Sequence, residues 1–124
     1  APTDERRLAD GTRAWDYVFG PFGFDTWRYT FDAAGRVTRA EQLLTEARFR
    51  RITAGETTRD GVADLIGRPM ETMVFPRSHT EVWTYRWRDG SIDMLNDVVF
   101  STDTQKVLYY ALYMDPRVTN SVDH

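Results

Sequence analysis

Few side chains in this 124-residue chain could do acid–base or nucleophilic work near neutral pH. Cysteine is absent, which removes thiol nucleophiles, disulfides and thiolate metal sites. The two histidines are His79 and His124, the second of them terminal. His79 lies in Ser78-His79-Thr80, a polar connection after Pro76. A catalytic histidine needs a nucleophile and an orienting acid beside it in space; taken alone, this segment reads as a surface loop. Asp93, Asp97 and Asp103 offer oxygen ligands, but they fall on different strand faces or in a turn. None of the ligand spacings for zinc or calcium is present, and solvated strand ends account for them better. Gly20-Pro21-Phe22-Gly23 reads as a hairpin tip rather than a phosphate-binding loop. The expectation is a chain that is not an enzyme and carries no cofactor and no metal.

The aromatic residues, 14% of the chain, are the other group able to do chemistry, that of recognition. Trp83, Tyr85 and Trp87 alternate with polar residues, as do Trp27, Tyr29 and Phe31, the pattern of strands with one buried face. Both rows are expected to form sheet core beneath helices. The segment Val107–Met114 is apolar on both faces, although an antiparallel strand normally turns one polar face to water. One of its rows must be paired, covered or used for binding. The row predicted to lie opposite Phe100 and Val98 holds Tyr110, Leu112 and Met114, beside Val99. The matching row earlier in the chain is Arg28 and Thr30, with Ala40, Gln42 and Leu44. The candidate protein interface is therefore Arg28, Thr30, Arg86, Val99, Tyr110, Leu112 and Met114. Aromatic anchors dominate protein hot spots, and the earlier row lacks them.

Composition fits a small globular protein: 41% hydrophobic, 28% charged, formal net charge -3 and pI about 5.3. That balance gives no electrostatic footprint for nucleic acid. The longest apolar run, Val107–Met114, is far short of the roughly 20 residues that span a bilayer. The first seven residues, Ala1-Pro2-Thr3-Asp4-Glu5-Arg6-Arg7, contain no apolar signal core, so any targeting segment is expected upstream.

The elements that must position these residues come as a repeat. Trp15-Asp16-Tyr17 recurs as Trp83-Thr84-Tyr85, 68 positions on; Phe31 recurs as Phe100 at 69, and Val37 as Val107 at 70. Ala1-Pro2 falls opposite Arg68-Pro69, which follows a helix end at Ile66-Gly67. The chain is expected to open where the helices of a first copy would have ended: residues 1–44 as the strand half of a first repeat, 45–116 as a complete second repeat, and 117–124 as a tail. Thr45 starts a short helix to about Ile52, and Thr57 or Thr58 caps a second one with Val62, Leu65 and Ile66 on one stripe. Strands are predicted over 82–88, 93–100 and 106–114, with the first copy's at 14–19, 26–31 and 36–44. The fold class expected is α+β: a two-helix plus antiparallel-sheet repeat in one and a half copies. With no helices of their own, the first-copy aromatics predict either pairing into a homodimer or packing of residues 45–66 on those strands as well.

The stretch from Ala47 through Phe49, Ile52, Gly55 and Thr57 to Leu65-Ile66-Gly67-Arg68-Pro69 resembles the signature of the SmpA/OmlA (BamE-like) outer-membrane lipoproteins, with Trp83-x-Tyr85 and Phe100 following in order. The family usually has Met after the first Gly, where this chain has Glu56. The duplicated form is similar to the fold of the β-lactamase inhibitory proteins. The resemblance implies a non-enzymatic lipoprotein at the periplasmic face of the outer membrane, or in the periplasm, that binds another envelope protein in outer-membrane assembly or integrity. It also implies an anchoring Cys upstream as the chain's one link to a membrane. A secreted inhibitor or binding module for an envelope enzyme such as a β-lactamase is the alternative.

Overall fold

The computed structural model describes residues 2–20 and 23–116. Among them run the strands β1 (Asp4–Arg7), β2 (Arg13–Phe19), β3 (Asp25–Phe31) and β4 (Val37–Gln42). The helices α1 (Glu46–Phe49) and α2 (Arg59–Ile66) follow, then β5 (Glu71–Phe75), β6 (Thr80–Asp89), β7 (Ile92–Ser101) and β8 (Val107–Met114). The strands form two antiparallel sheets, ordered β1-β2-β3-β4 (sheet one) and β5-β6-β7-β8 (sheet two).

This architecture overturns the expected α+β two-helix repeat in one and a half copies. Strand accounts for 52% of the structure and helix for 14%. The helices are four and eight residues long, below the length at which helix propensity sustains itself in water. Each instead depends on a threonine cap, Thr45 accepting from the Arg48 N–H and Thr58 from the Gly61 N–H. The sequence reading also passed over β1 and β5. Their residues, Asp-Glu-Arg-Arg and Glu-Thr-Met-Val-Phe, have no apolar–polar alternation in sequence, although β1 alternates half-buried and exposed positions; β5 is exposed throughout.

The main core lies between α1, α2 and one face of sheet two. Phe49, Ile52, Val62 and Ile66 pack with Leu44 against Tyr85, Trp87, Val98, Phe100 and Val107. Phe49 meets Trp87 edge-on at 5.0 Å between ring centroids. Each such fully buried side chain contributes about 1.5–3 kcal/mol relative to exposure.

The two sheets share one irregularity. Between Thr30 and Phe31 the pairing of β3 with β4 shifts, so that Phe31 faces Val37 while Thr30 faces Arg39. Between Val99 and Phe100 the pairing of β7 with β8 shifts in the same way, Phe100 facing Val107 and Val99 facing Tyr109. Thr38 and Leu108 are thus the extra residues of two equivalent bulges.

A buried ion pair joins sheet one to α2. Asp16 and Arg28 face each other across β2 and β3. Their side chains are 2% and 1% exposed and meet through two contacts, Arg28 Nε to Asp16 Oδ1 at 2.7 Å and Nη2 to Oδ2 at 3.0 Å. The same guanidinium donates to the carbonyls of Ala63 and Asp64, while Arg48 donates to that of Leu65 and pairs with Glu41 of β4. The last turn of α2 contains no basic residue, so these two arginines supply the cations that its orphan carbonyls attract. Gly67 ends α2 at φ 78°, ψ −161°, a region open essentially to glycine alone. A Cβ there would stand 3.3 Å from Asp16 Oδ2 and from Thr26 Cγ2, so the helix end and sheet one touch backbone to side chain.

Candidate protein-docking face

Arg28 and Asp16 fix which way sheet one faces. They turn toward α2, and strand alternation sends their neighbours to the opposite side. That side carries Trp15, Tyr17 and Phe19 on β2, Trp27, Tyr29 and Phe31 on β3, and Val37 on β4. The cross-strand pairs on it are Trp15↔Tyr29, Tyr17↔Trp27 and Phe31↔Val37. Tyr17 meets Tyr29 edge-on at 5.6 Å and Trp15 meets Phe31 at 4.9 Å, while Arg13 lies over the Phe31 ring at 5.5 Å. Trp15, Tyr17, Phe19, Tyr29, Phe31 and Val37 line one open depression of about 430 Å³. Phe19 is 46% and Val37 54% exposed; the others are half-buried.

The same positions in sheet two are closed. Trp83↔Val98↔Tyr110 corresponds to Trp15↔Tyr29↔Ala40, and Tyr85↔Asn96↔Leu112 to Tyr17↔Trp27↔Gln42, in the same pairing and around the same bulge. There α1 and α2 cover the face, leaving Tyr85 1%, Val98 0% and Phe100 0% exposed. Among the described residues, one face thus occurs twice, once beneath helices and once uncovered.

The structure redistributes the residues proposed from sequence as an interface. Arg28 is in the buried ion pair, and Thr30, half-buried, sits on the same α2-facing side. Tyr110 and Leu112 pack on the main core rather than on the far side. Met114, whose partner is Met94, shares their face and is exposed at the strand end. The bulge at Leu108 is the cause: one extra residue reverses the facing of everything after it. Arg86 and Val99 do lie on the far side of sheet two, at 8% and 6% exposure, with the Arg86 guanidinium 5.9 Å from the Phe24 ring. Arg28 and Thr30 lie on the equivalent side of sheet one, while the other three turn to the core face. The aromatic row of sheet one was assigned to the core; its signal is the pairing of Asp16 with Arg28 in register, opposite charges that settle each other inside and leave the aromatics out.

The far side of sheet two holds a second depression of about 520 Å³ around Met73, Val82, Thr84, Asp97 and Tyr113. Asp97 accepts from the Thr84 hydroxyl at 2.8 Å and the Tyr113 hydroxyl at 2.7 Å. Burial, that bond to Asp97, and the charges of Asp97, Asp115 and Glu71 push the Tyr113 phenol up to about 12.

The groups considered for catalysis do not converge. His79 Nδ1 is 3.4 Å from Asp103 Oδ1, but both side chains are mostly exposed. The Ser78 hydroxyl is shared with Thr80 and the Phe75 carbonyl. Asp93 is held by Arg88. No group of three or more potential ligands among the described residues could hold a metal ion, and no described helix is long and apolar enough to cross a membrane. Comparison with protein-family models, curated proteins and solved structures finds no match to this chain.

Proposed function

We propose that the protein is a non-enzymatic binding module that docks another protein on the open aromatic face of sheet one. One observation carries this reading: the face that α1 and α2 cover in sheet two recurs in sheet one uncovered by any described helix, with Trp15, Tyr17, Trp27, Tyr29 and Phe31 in register. Tryptophan and tyrosine are the residues enriched among binding hot spots, where truncating one costs 2 kcal/mol or more, about thirty-fold in affinity. An envelope location and a role in outer-membrane assembly or integrity belong to the same proposal and rest on the resemblance of residues 47–69.

The test is affinity capture from an envelope extract with the wild-type chain and with a Tyr17→Ser/Tyr29→Ser variant whose circular dichroism matches it. A partner retained by the wild type and lost from the variant is the expected result. Equal recovery by both would sink the assignment. A second reading, an inhibitor of a secreted enzyme such as a β-lactamase, gains from the same finding, since aromatic anchors now stand on an exposed sheet face. It is separated by adding the protein to a β-lactamase assay with and without those two substitutions.

A further inference from the structure

The duplicated face also indicates what fits it. In sheet two the occupant is a pair of short helices whose Phe49, Ile52, Val62 and Ile66 descend on Tyr85, Trp87, Val98 and Phe100. Sheet one repeats the strand pairing, the bulge, and Trp15, Tyr17, Phe31 and Val37 at the places of Trp83, Tyr85, Phe100 and Val107. Where the two differ, sheet one has more aromatic surface and less bulk at its β4 edge: Trp27 stands for Asn96, Tyr29 for Val98, and Ala40 and Gln42 for Tyr110 and Leu112.

Size argues against another sheet face as the occupant. Four strands about 4.8 Å apart and about seven residues long present roughly 440 Å². A stable interface takes about 800 Å² from each partner, so two such faces laid together would fall short. A helix pair does close the equivalent footprint in sheet two, where α1 and α2 leave Tyr85, Val98 and Phe100 at 1%, 0% and 0% exposure. Polar groups point the same way. The indole N–H groups of Trp15 and Trp27 and the hydroxyls of Tyr17 and Tyr29 make no hydrogen bond to another described residue. In sheet two the Tyr85 hydroxyl, at the place of Tyr17, donates to the carbonyl of Gly67 at 2.7 Å, the end of the covering helix. Tyr17 carries the same donor for a helix end not yet present.

We infer that the open face of sheet one is a receptor for an amphipathic two-helix segment of a partner protein, built like α1 and α2, whose helix end accepts a hydrogen bond from Tyr17. This rests on the docking role proposed above and adds the partner's class.

The probe is a synthetic peptide of residues 45–67 of this chain, added to the intact protein, whose own copy of that segment already fills sheet two. Backbone amide shifts are followed by NMR. The expected result is saturable perturbation confined to β2, β3 and β4, weakened at least tenfold by Tyr17→Phe. A peptide with Phe49, Ile52, Val62 and Ile66 all replaced by Ser should have no effect. Because a free peptide with helices this short starts largely unfolded, the same segment is also fused ahead of Ala1, where it stands as far from β2 as α2 stands from β6. The fusion should shift Trp15 and Trp27 emission to the blue and shield both from a soluble quencher, and its serine version should not. Absence of both effects, or equal effects of the serine versions, overturns the helical assignment. If the helical assignment fails while the Tyr17→Ser/Tyr29→Ser variant still loses its partner, the docking role stands and only the partner's class is wrong.

Discussion

At the scale of single residues, the chain spends its charges in unequal ways. Arg36 and Asp32 form an ion pair, but the arginine is 81% exposed, and such pairs are worth little. Arg28 and Asp16 are nearly dry, and removing one partner of a buried pair typically costs 3–5 kcal/mol because the other charge is left stranded. Arg28→Ala should therefore lower the urea midpoint far more than Arg36→Ala, and equal midpoints for the two variants would show that Arg28 is not a keystone. Tyr113 gives a pH prediction. Its pKa is raised from 10 to about 12, so the folded state holds this proton more tightly than the unfolded one. The stability it contributes is present below pH 10 and is lost as pH rises toward 12. Phenolate absorbance should contain a late step near pH 12 that Tyr113→Phe removes.

At the scale of elements, the bulges decide which residues meet. Deleting Leu108 would remove the bulge while Val107, Tyr110 and Leu112 keep their partners Phe100, Val98 and Asn96 and stay on the core face; deleting Ala111, where there is no bulge to absorb the loss, would turn Leu112 away from the core. The Ala111 deletion should lose cooperative unfolding, whereas the Leu108 deletion, with 46% of Leu108 already exposed, should keep it. Gly67→Ala tests the joint between α2 and sheet one. Its backbone conformation and the 3.3 Å approach to Asp16 Oδ2 and Thr26 Cγ2 both resist a Cβ. A loss of about 1–3 kcal/mol in denaturant unfolding is expected. These same elements mark what the sequence could reveal. The alternation of Trp83, Tyr85 and Trp87, the threonines before α1 and α2, and the Asp89-Gly90 turn are local signals, and the strands and helices they announce lie close to where they were placed. The extra residue in each bulged strand has no local signature: Leu108 is one apolar residue in a run of apolar residues. Face assignment after it therefore inverted. In sheet one the error had another source. Apolarity points the aromatics inward, but Asp16 and Arg28 cancel each other, and Arg28 donates to carbonyls of α2 that only the folded chain brings near.

At the scale of the whole molecule, α2 serves two sheets at once. Val62 and Ile66 enter the core of sheet two, while its last carbonyls receive Arg28 from sheet one. That arrangement answers, from the unexpected side, how sheet one is held without helices on its aromatic face: it is clamped through its polar one. The aromatic face is consequently left with a choice between water and a partner. Its footprint of roughly 440 Å² is about half of what one side of a stable interface needs, so pairing of two copies through it should be weak and reversible. Sedimentation should find a monomer at micromolar concentration, with dimer accumulating only as concentration approaches the millimolar range. Tyr17→Ser/Tyr29→Ser should abolish that association at a modest cost in stability, about 0.2–1 kcal/mol for each cross-strand pair lost, because both side chains are held chiefly by their aromatic neighbours on the same face. A tight dimer that survives dilution, or one indifferent to these substitutions, would place self-association on another surface. The exposed edge of β5, where Met73, Val74 and Phe75 are 54%, 55% and 44% exposed, is the surface that would then be tested, by placing a lysine at Val74.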